Sequence, residues 1–353
     1  MAKKKRRYTR LNPARPIDPA AYAGKRERAL KALYQRQQVR LQRSLDTASM
    51  TDFAKFRARE QLVQINAIIK ELNAGAVAWT QEMVPAMYKH GATAARQTAL
   101  AYGVDAQPLN FGNRINTSAV DVMVQEIAGD LISANASIQR TASRFIFKTR
   151  QTALKDRQIR NIIAEGLTTG STRRAVSKDI GDALYKKMVE RVNDGEFIEI
   201  KGRSYKSDKY AELVARTQTR AATNQGMANA AIQYGMDLVR IDITPNPCAI
   251  CQTRQGRVYS LSGNHPDFPQ IDTLPPWHPN CGHNHFPVSE EYLKEKGEYG
   301  AIKELSNKTP QATTEKDAEA WLAKNKDKRI KSLAGLKSYV KDGDASLVDK
   351  DDQ

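Results

Sequence analysis

The chain has 353 residues, of which 40% are hydrophobic, 27% charged and only 7% aromatic. That is apolar material for two or three globular domains, and the alanine- and glutamine-rich mix favours helices, in which such side chains lose little entropy. No apolar run reaches the ~18 residues of a bilayer-spanning helix, and no apolar stretch follows the basic N-terminus as in a secretory signal; both features argue against membrane and secreted classes and for synthesis in the cytoplasm.

The net charge of +17 is unevenly placed. Residues 1–20 carry Lys3, Lys4, Lys5, Arg6, Arg7, Arg10 and Arg15 among Pro13, Pro16 and Pro19. Prolines among like charges oppose regular structure, so a disordered basic arm is expected. Dense cationic charge of this kind neutralises phosphates, which makes these seven residues the candidate nucleic-acid contacts. The other end is acidic, with Asp342, Asp344, Asp349, Asp351 and Asp352.

Residues 21–47 read as a basic helix with Leu30, Leu33 and Leu41 on one side. A second helix is expected from Thr51-Asp52, a capping pair, to Tyr102, with Leu62, Ile65, Ile69 and Leu72 as its apolar stripe. Pro85 is expected to kink or divide it. A third spans about 115–164, marked by Val120, Val124, Ile127, Leu131, Ile138 and Ile146. Gly166–Thr172 reads as a turn and helix cap. Its glycine spacing fits neither a P-loop nor a dinucleotide fingerprint. Residues 196–206 alternate as a hairpin around Lys201-Gly202. Ser207-Asp208 then starts a helix that Gly235 stops, and 238–243 reads as a strand. The fold expected is mainly α with a C-terminal α+β module. The domains are a basic arm at 1–20, a helical domain at 21–164, a mixed domain at 165–288 with a small metal-stapled, β-containing module near 236–288, and a helical, acidic-ended tail at 289–353.

All three cysteines and four of the five histidines fall within residues 248–285. Cys248-x-x-Cys251 can grip one ion from a tight turn, and His278-Pro-Asn-Cys281-Gly-His283 supplies further donors at close spacing. Zinc takes four nitrogen or sulfur ligands in a tetrahedron. Cys248, Cys251 and Cys281 provide three. His283 is favoured as the fourth if 281–285 is extended, because alternate residues then share a face; His278 is favoured by the resemblance of His-x-x-Cys to the Cys-x-x-Cys turn. The odd cysteine count and a reducing cytosol argue against a disulfide. A catalytic metal would need an open position and a nearby acid or base. The upstream His-x-Glu of zinc deaminases is missing, since His90 is followed by Gly91 and Ala92. A structural zinc ion is therefore expected.

Around this cluster the residues resemble a phage family. Tyr210-Ala-Glu-Leu-Val-Ala-Arg216-Thr217-Gln-Thr-Arg220, Asn224-Gln-Gly226 and Tyr234-Gly235 are similar to the core of the Mu F-like head morphogenesis proteins. So are Gly170-Ser-Thr-Arg173 upstream and Cys248-x-x-Cys251, Gly256-Arg-Val258-Tyr259, Pro275-Pro276 and His278-Pro-Asn-Cys281 downstream. The ending Gly282-His283 resembles the related phage minor capsid protein family. Gln218 and Gly282 depart from the usual Glu and Arg. The resemblance implies a low-copy head component of the virion near the portal, made in the host cytoplasm and acting in procapsid assembly, DNA packaging or genome delivery. The implied partners are the portal protein, capsid or scaffold proteins and packaged double-stranded DNA held without sequence preference. It implies no enzyme; the competing expectation is a metal-dependent nuclease packaged in the head.

Overall fold

The computed structural model describes residues 19–46, 54–151, 195, 197–200, 203–326, 330 and 335–341. The basic-arm residues Lys3 to Arg15, the expected turn at 166–172, residues 152–164 of the third expected helix and the acidic end at 342–353 lie outside them. The chain is mainly helical, with a few antiparallel strands in its C-terminal part. Two compact units form: Met1–Gly24 with Glu82–Met123 and Arg216–Gln353, and Lys25–Gln81 with Val124–Ala215.

The second unit is built on α1 (Pro19–Asp46), the first part of α2 (Ala54–Ala101) and the later part of α3 (Arg114–Gln151). Buried residues recur at helical spacing, with Leu30, Tyr34, Gln37 and Leu41 on α1, Ile65, Ile69, Leu72 and Ala76 on α2, and Ile127, Leu131, Ala134 and Ile138 on α3. A polar pin crosses this apolar core. The Tyr34 hydroxyl donates to Asn135 Oδ1 at 2.8 Å, and Asn135 Nδ2 donates to Asn73 Oδ1 at 2.8 Å. Such a buried network fixes helix register, because a slip would strand polar groups without partners. The expected hairpin is present as β1 (Ile198–Ile200) paired antiparallel with β2 (Arg203–Tyr205), in register Ile198↔Tyr205.

Pro85 does not divide α2, which runs unbroken through it. Proline removes one intrahelical hydrogen bond. Here Pro85 and Gln81, whose carbonyl loses that bond, are both exposed, so water can take its place. The flanking Met83, Val84, Met87 and Tyr88 stay packed.

In the first unit α2 meets α4 (Ser207–Gln233) at a glycine crossing. A Cβ on Gly91 would lie 1.9 Å from the Thr223 carbonyl oxygen, and one on Gly226 would lie 2.0 Å from that of Tyr88. Backbones this close exclude every other residue. Ala92, Ala95, Met227 and Ala230 pack together beside this contact, and Asn229 Nδ2 donates to the Tyr88 hydroxyl at 2.7 Å.

After α4 come β3 (Leu238–Ile241), the single turn α5 (Ala249–Gln252), β4 (Val258–Ser260) and β5 (His285–Pro287). The sheet order is β4-β3-β5 and both pairings are antiparallel. Then follow α6 (Glu290–Glu295), α7 (Tyr299–Lys308) and α8 (Glu315–Lys324). Leu293, Ile302, Leu305, Ile330 and Leu336 share one core with Leu238, Val258, Phe268 and Val288. The residues after Pro287 therefore form the other half of the sheet's hydrophobic core.

Candidate metal centre

Two loops at one end of the sheet bring the cysteines together. The first leaves β3 and turns at Asn246, which takes a positive φ of 53°. Cys248 is the N-cap of α5, and its carbonyl accepts from the Gln252 amide at 3.0 Å. One helical turn later Cys251 faces the same point, and Gly256 (φ 77°) reverses the chain into β4. The second loop closes when the Cys281 amide donates to the His278 carbonyl at 3.0 Å, with Asn280 at φ 66°. Cys251 and Cys281 are buried and Cys248 is partly buried; all three are free thiols.

Their donor atoms form two triplets that share Cys251: Cys248, Cys251 and His278, and Cys251, Cys281 and His283. The five residues could hold a metal ion. His278 Nε2 lies 3.2 Å from the Cys248 sulfur and 3.1 Å from that of Cys251. The Cys251 and Cys281 sulfurs are 3.8 Å apart, and His283 Nδ1 is 3.6 Å from the Cys281 sulfur. A tetrahedron with zinc–sulfur bonds of ~2.3 Å has a sulfur–sulfur edge of ~3.8 Å and a sulfur–nitrogen edge of ~3.5 Å. The donor set fits such an ion in kind and in spacing.

Both imidazoles are prepared as ligands by their other ring nitrogen. The Pro279 carbonyl, which can only accept, lies 2.8 Å from His278 Nδ1, so that nitrogen carries the proton and Nε2 presents its lone pair. Gln255 Oε1 lies 2.9 Å from His283 Nε2 and leaves His283 Nδ1 free in the same way. This is the outer-shell pattern that orients metal-bound histidines. Cys281 is held below the usual thiol range, because it accepts from the Cys251 thiol and from the His283 and Trp277 backbone amides. Arg254 supplies a compensating positive charge. It is buried within electrostatic reach of Cys251 and Cys281, lies 5.0 Å over the Trp277 ring and donates to the Ala312 carbonyl at 2.6 Å. Trp277 in turn stacks beside His283 with centroids 5.6 Å apart.

The rest of the unit clamps the two loops. Asn224 of α4 is fully buried, and its Nδ2 donates to the Pro275 carbonyl at 2.9 Å. Glu315 of α8 accepts from the Ala249 amide at 2.8 Å, and Ala318 and Leu322 pack against Ala249. A carboxylate at this position satisfies a free amide at the start of α5. Gln255, Arg254, Asn224 and Glu315 were not among the expected site residues. The available signal was charged and amide side chains in the otherwise strand-like Arg254-Gln255-Gly256-Arg257-Val258-Tyr259 segment beside the cysteines. His285 does not join the cluster: it lies in β5 opposite Ile241.

Residues 35–322 match the phage minor capsid protein 2 family, and the chain belongs to that family. This is a class of phage head structural proteins, and the match falls on the second of the two related families that the residues resemble. No curated protein and no solved structure matches the chain.

His285 is a fully buried imidazole with neither ring nitrogen hydrogen-bonded, and burial pushes it down to about 3. The unfolded chain takes up this proton near pH 6.5, before the folded chain does, so the associated stability is lost as pH falls from about 6.5 toward 3. The full loss is roughly 5 kcal/mol, with about 2 kcal/mol gone by pH 5. Denaturant midpoints between pH 7 and 5 should fall less steeply in His285→Leu than in the parent. Parallel curves for the two proteins would contradict this.

Proposed function

We propose that this chain is a low-copy structural component of the phage head at the portal vertex, acting in procapsid assembly, DNA packaging or genome delivery. The observation that carries this reading is the family match across most of the chain. Its partners are the portal protein, neighbouring capsid or scaffold proteins, and packaged duplex DNA. The basic residues Lys3, Lys4, Lys5, Arg6, Arg7, Arg10 and Arg15 meet the DNA by neutralising phosphates. The chain has no catalytic role in this reading. The metal is zinc, and it is structural. Its ligands are Cys248, Cys251, Cys281 and His278, whose Nε2 lies against two of the sulfurs, whereas His283 Nδ1 lies against that of Cys281. His283 packs behind Cys281, held by Gln255.

Quantitative mass spectrometry of purified heads and virions tests the placement. The expected result is a few copies per head, enriched with the portal in disrupted particles. Absence from both would overturn the structural reading.

A further inference from the structure

The outward face of α1 carries a row of exposed positive charge. The inward face is fixed by packing: Ala23, Leu30, Tyr34, Gln37, Leu41 and Ser44 are all buried. At about 100° per residue, Lys25, Arg36 and Arg43 fall within about 20° of one another on the opposite side, with Arg28 about 60° to one flank. All four are exposed. From Lys25 to Arg43 the stripe runs about 27 Å at the α-helical rise.

Neighbouring acids leave most of this charge standing. Within α1 the acids are Glu27, which is half-buried, and Asp46 at the last position. Glu71 of α2 is taken by Arg40, and Glu212 of α4 is taken by Lys31 and Lys209. Lys25, Arg28 and Arg36 have no carboxylate partner among the described residues. Among residues 23–44, whose side chains are described, the one aromatic is Tyr34, at 1% exposed, so this stretch lays out no aromatic platform for unpaired bases. Stacking on such platforms is how single strands are held. An aligned row of cations without stacking groups suits a continuous double-stranded polyanion.

We infer that the outer stripe of α1, with Lys25, Arg28 and Arg36 at its centre, binds the phosphate backbone of duplex DNA without reading its sequence. This rests on the reading above that the chain meets packaged DNA, but it assigns the contact to a second, helical surface that follows the basic residues in the chain. The stripe supplies fixed positive charges on a rigid element.

The test compares full-length proteins on a mixed-sequence duplex of about 30 base pairs by fluorescence anisotropy across a salt series. Lys25→Gln/Arg28→Gln/Arg36→Gln removes three exposed charges. It should weaken binding about tenfold or more at 0.1 M salt and make the log Kd against log salt slope shallower by about 2.7. Arg36→Lys keeps the charge and should bind as the parent does, and melting curves should coincide for all three proteins. A second full-length variant replaces Lys3, Lys4, Lys5, Arg6, Arg7, Arg10 and Arg15 by glutamine. If only that variant loses affinity, the DNA reading stands and the stripe proposal falls. If the parent does not bind duplex, both fall. A triple variant with parental slope and affinity that instead loses a protein partner would overturn the proposal in favour of an acidic protein surface.

Discussion

Replacing Gly91 by alanine is expected to destabilise the protein by about 3–5 kcal/mol, although alanine at an open helix position would gain about 1 kcal/mol over glycine. The sign follows from the crossing of α2 and α4. The new methyl would sit 1.9 Å from the Thr223 carbonyl oxygen and 2.8 Å from its carbon, and both atoms are helix backbone that no rotamer change can move. Gly226→Ala should cost a similar amount against the Tyr88 carbonyl at 2.0 Å. The double variant should cost less than the sum, because once the helices are pushed apart the second methyl meets less resistance. Gly129→Ala on α3, where nothing lies within 4 Å of the added Cβ, is the control and should stabilise by up to about 1 kcal/mol. Chemical denaturation checks all four variants. Gly91→Ala at or above parental stability would refute the crossing.

Cys281→Ser is expected to have the second large effect. It should abolish stoichiometric metal binding and cost on the order of 5 kcal/mol, since structural zinc contributes its binding free energy to folding. The loss should be local to the metal loops and what they hold. Those loops carry Gln255, which bridges Thr244 and His283, and α5, against which α8 packs through Leu322. The core of Leu238, Val258, Leu293, Ile302 and Leu305 lies in the same unit and should open with them to a lesser degree. Hydrogen exchange should show protection lost first at 244–256 and 277–285. A chelator should reproduce the pattern in the parent and change nothing further in Cys281→Ser. Uniform exchange in the variant and the parent would contradict a metal-stapled module.

The sequence disclosed much of this through spacing. Apolar spacing placed α1 and α2, and the Ser207-Asp208 cap and Gly235 stop placed α4, within about three residues of their ends. Alternation around Lys201-Gly202 placed the hairpin, and the crowding of cysteines and histidines marked the cluster that could hold a metal. What it hid depends on contacts distant in the chain. The helical pattern of α2 gave no sign that Pro85 faces outward, where a missing hydrogen bond is cheap. Gly91 looked like an ordinary helix glycine, because close approach depends on Thr223, far along the chain. Gly226 and Asn224 stood in a recognisable motif, but their physical roles emerge only in three dimensions: one lets two helices touch, and the other holds the Pro275 carbonyl beside the metal loops. The helices after Pro287 have modest apolar content, so their place in the sheet's core was equally invisible. Both histidines proposed as fourth ligand do approach the cysteines, because the loop from 278 to 283 wraps the site instead of running straight past it.

The most direct test of the account is elemental analysis of freshly purified full-length protein, with thiols counted in the same sample. The account predicts one zinc per chain, retained through dialysis and lost on substitution of Cys248, Cys251 or Cys281. Cobalt in its place should give the visible absorption of a tetrahedral, thiolate-rich site, which His278→Ala removes and His283→Ala retains. A folded protein with three reactive thiols and no bound metal would contradict it.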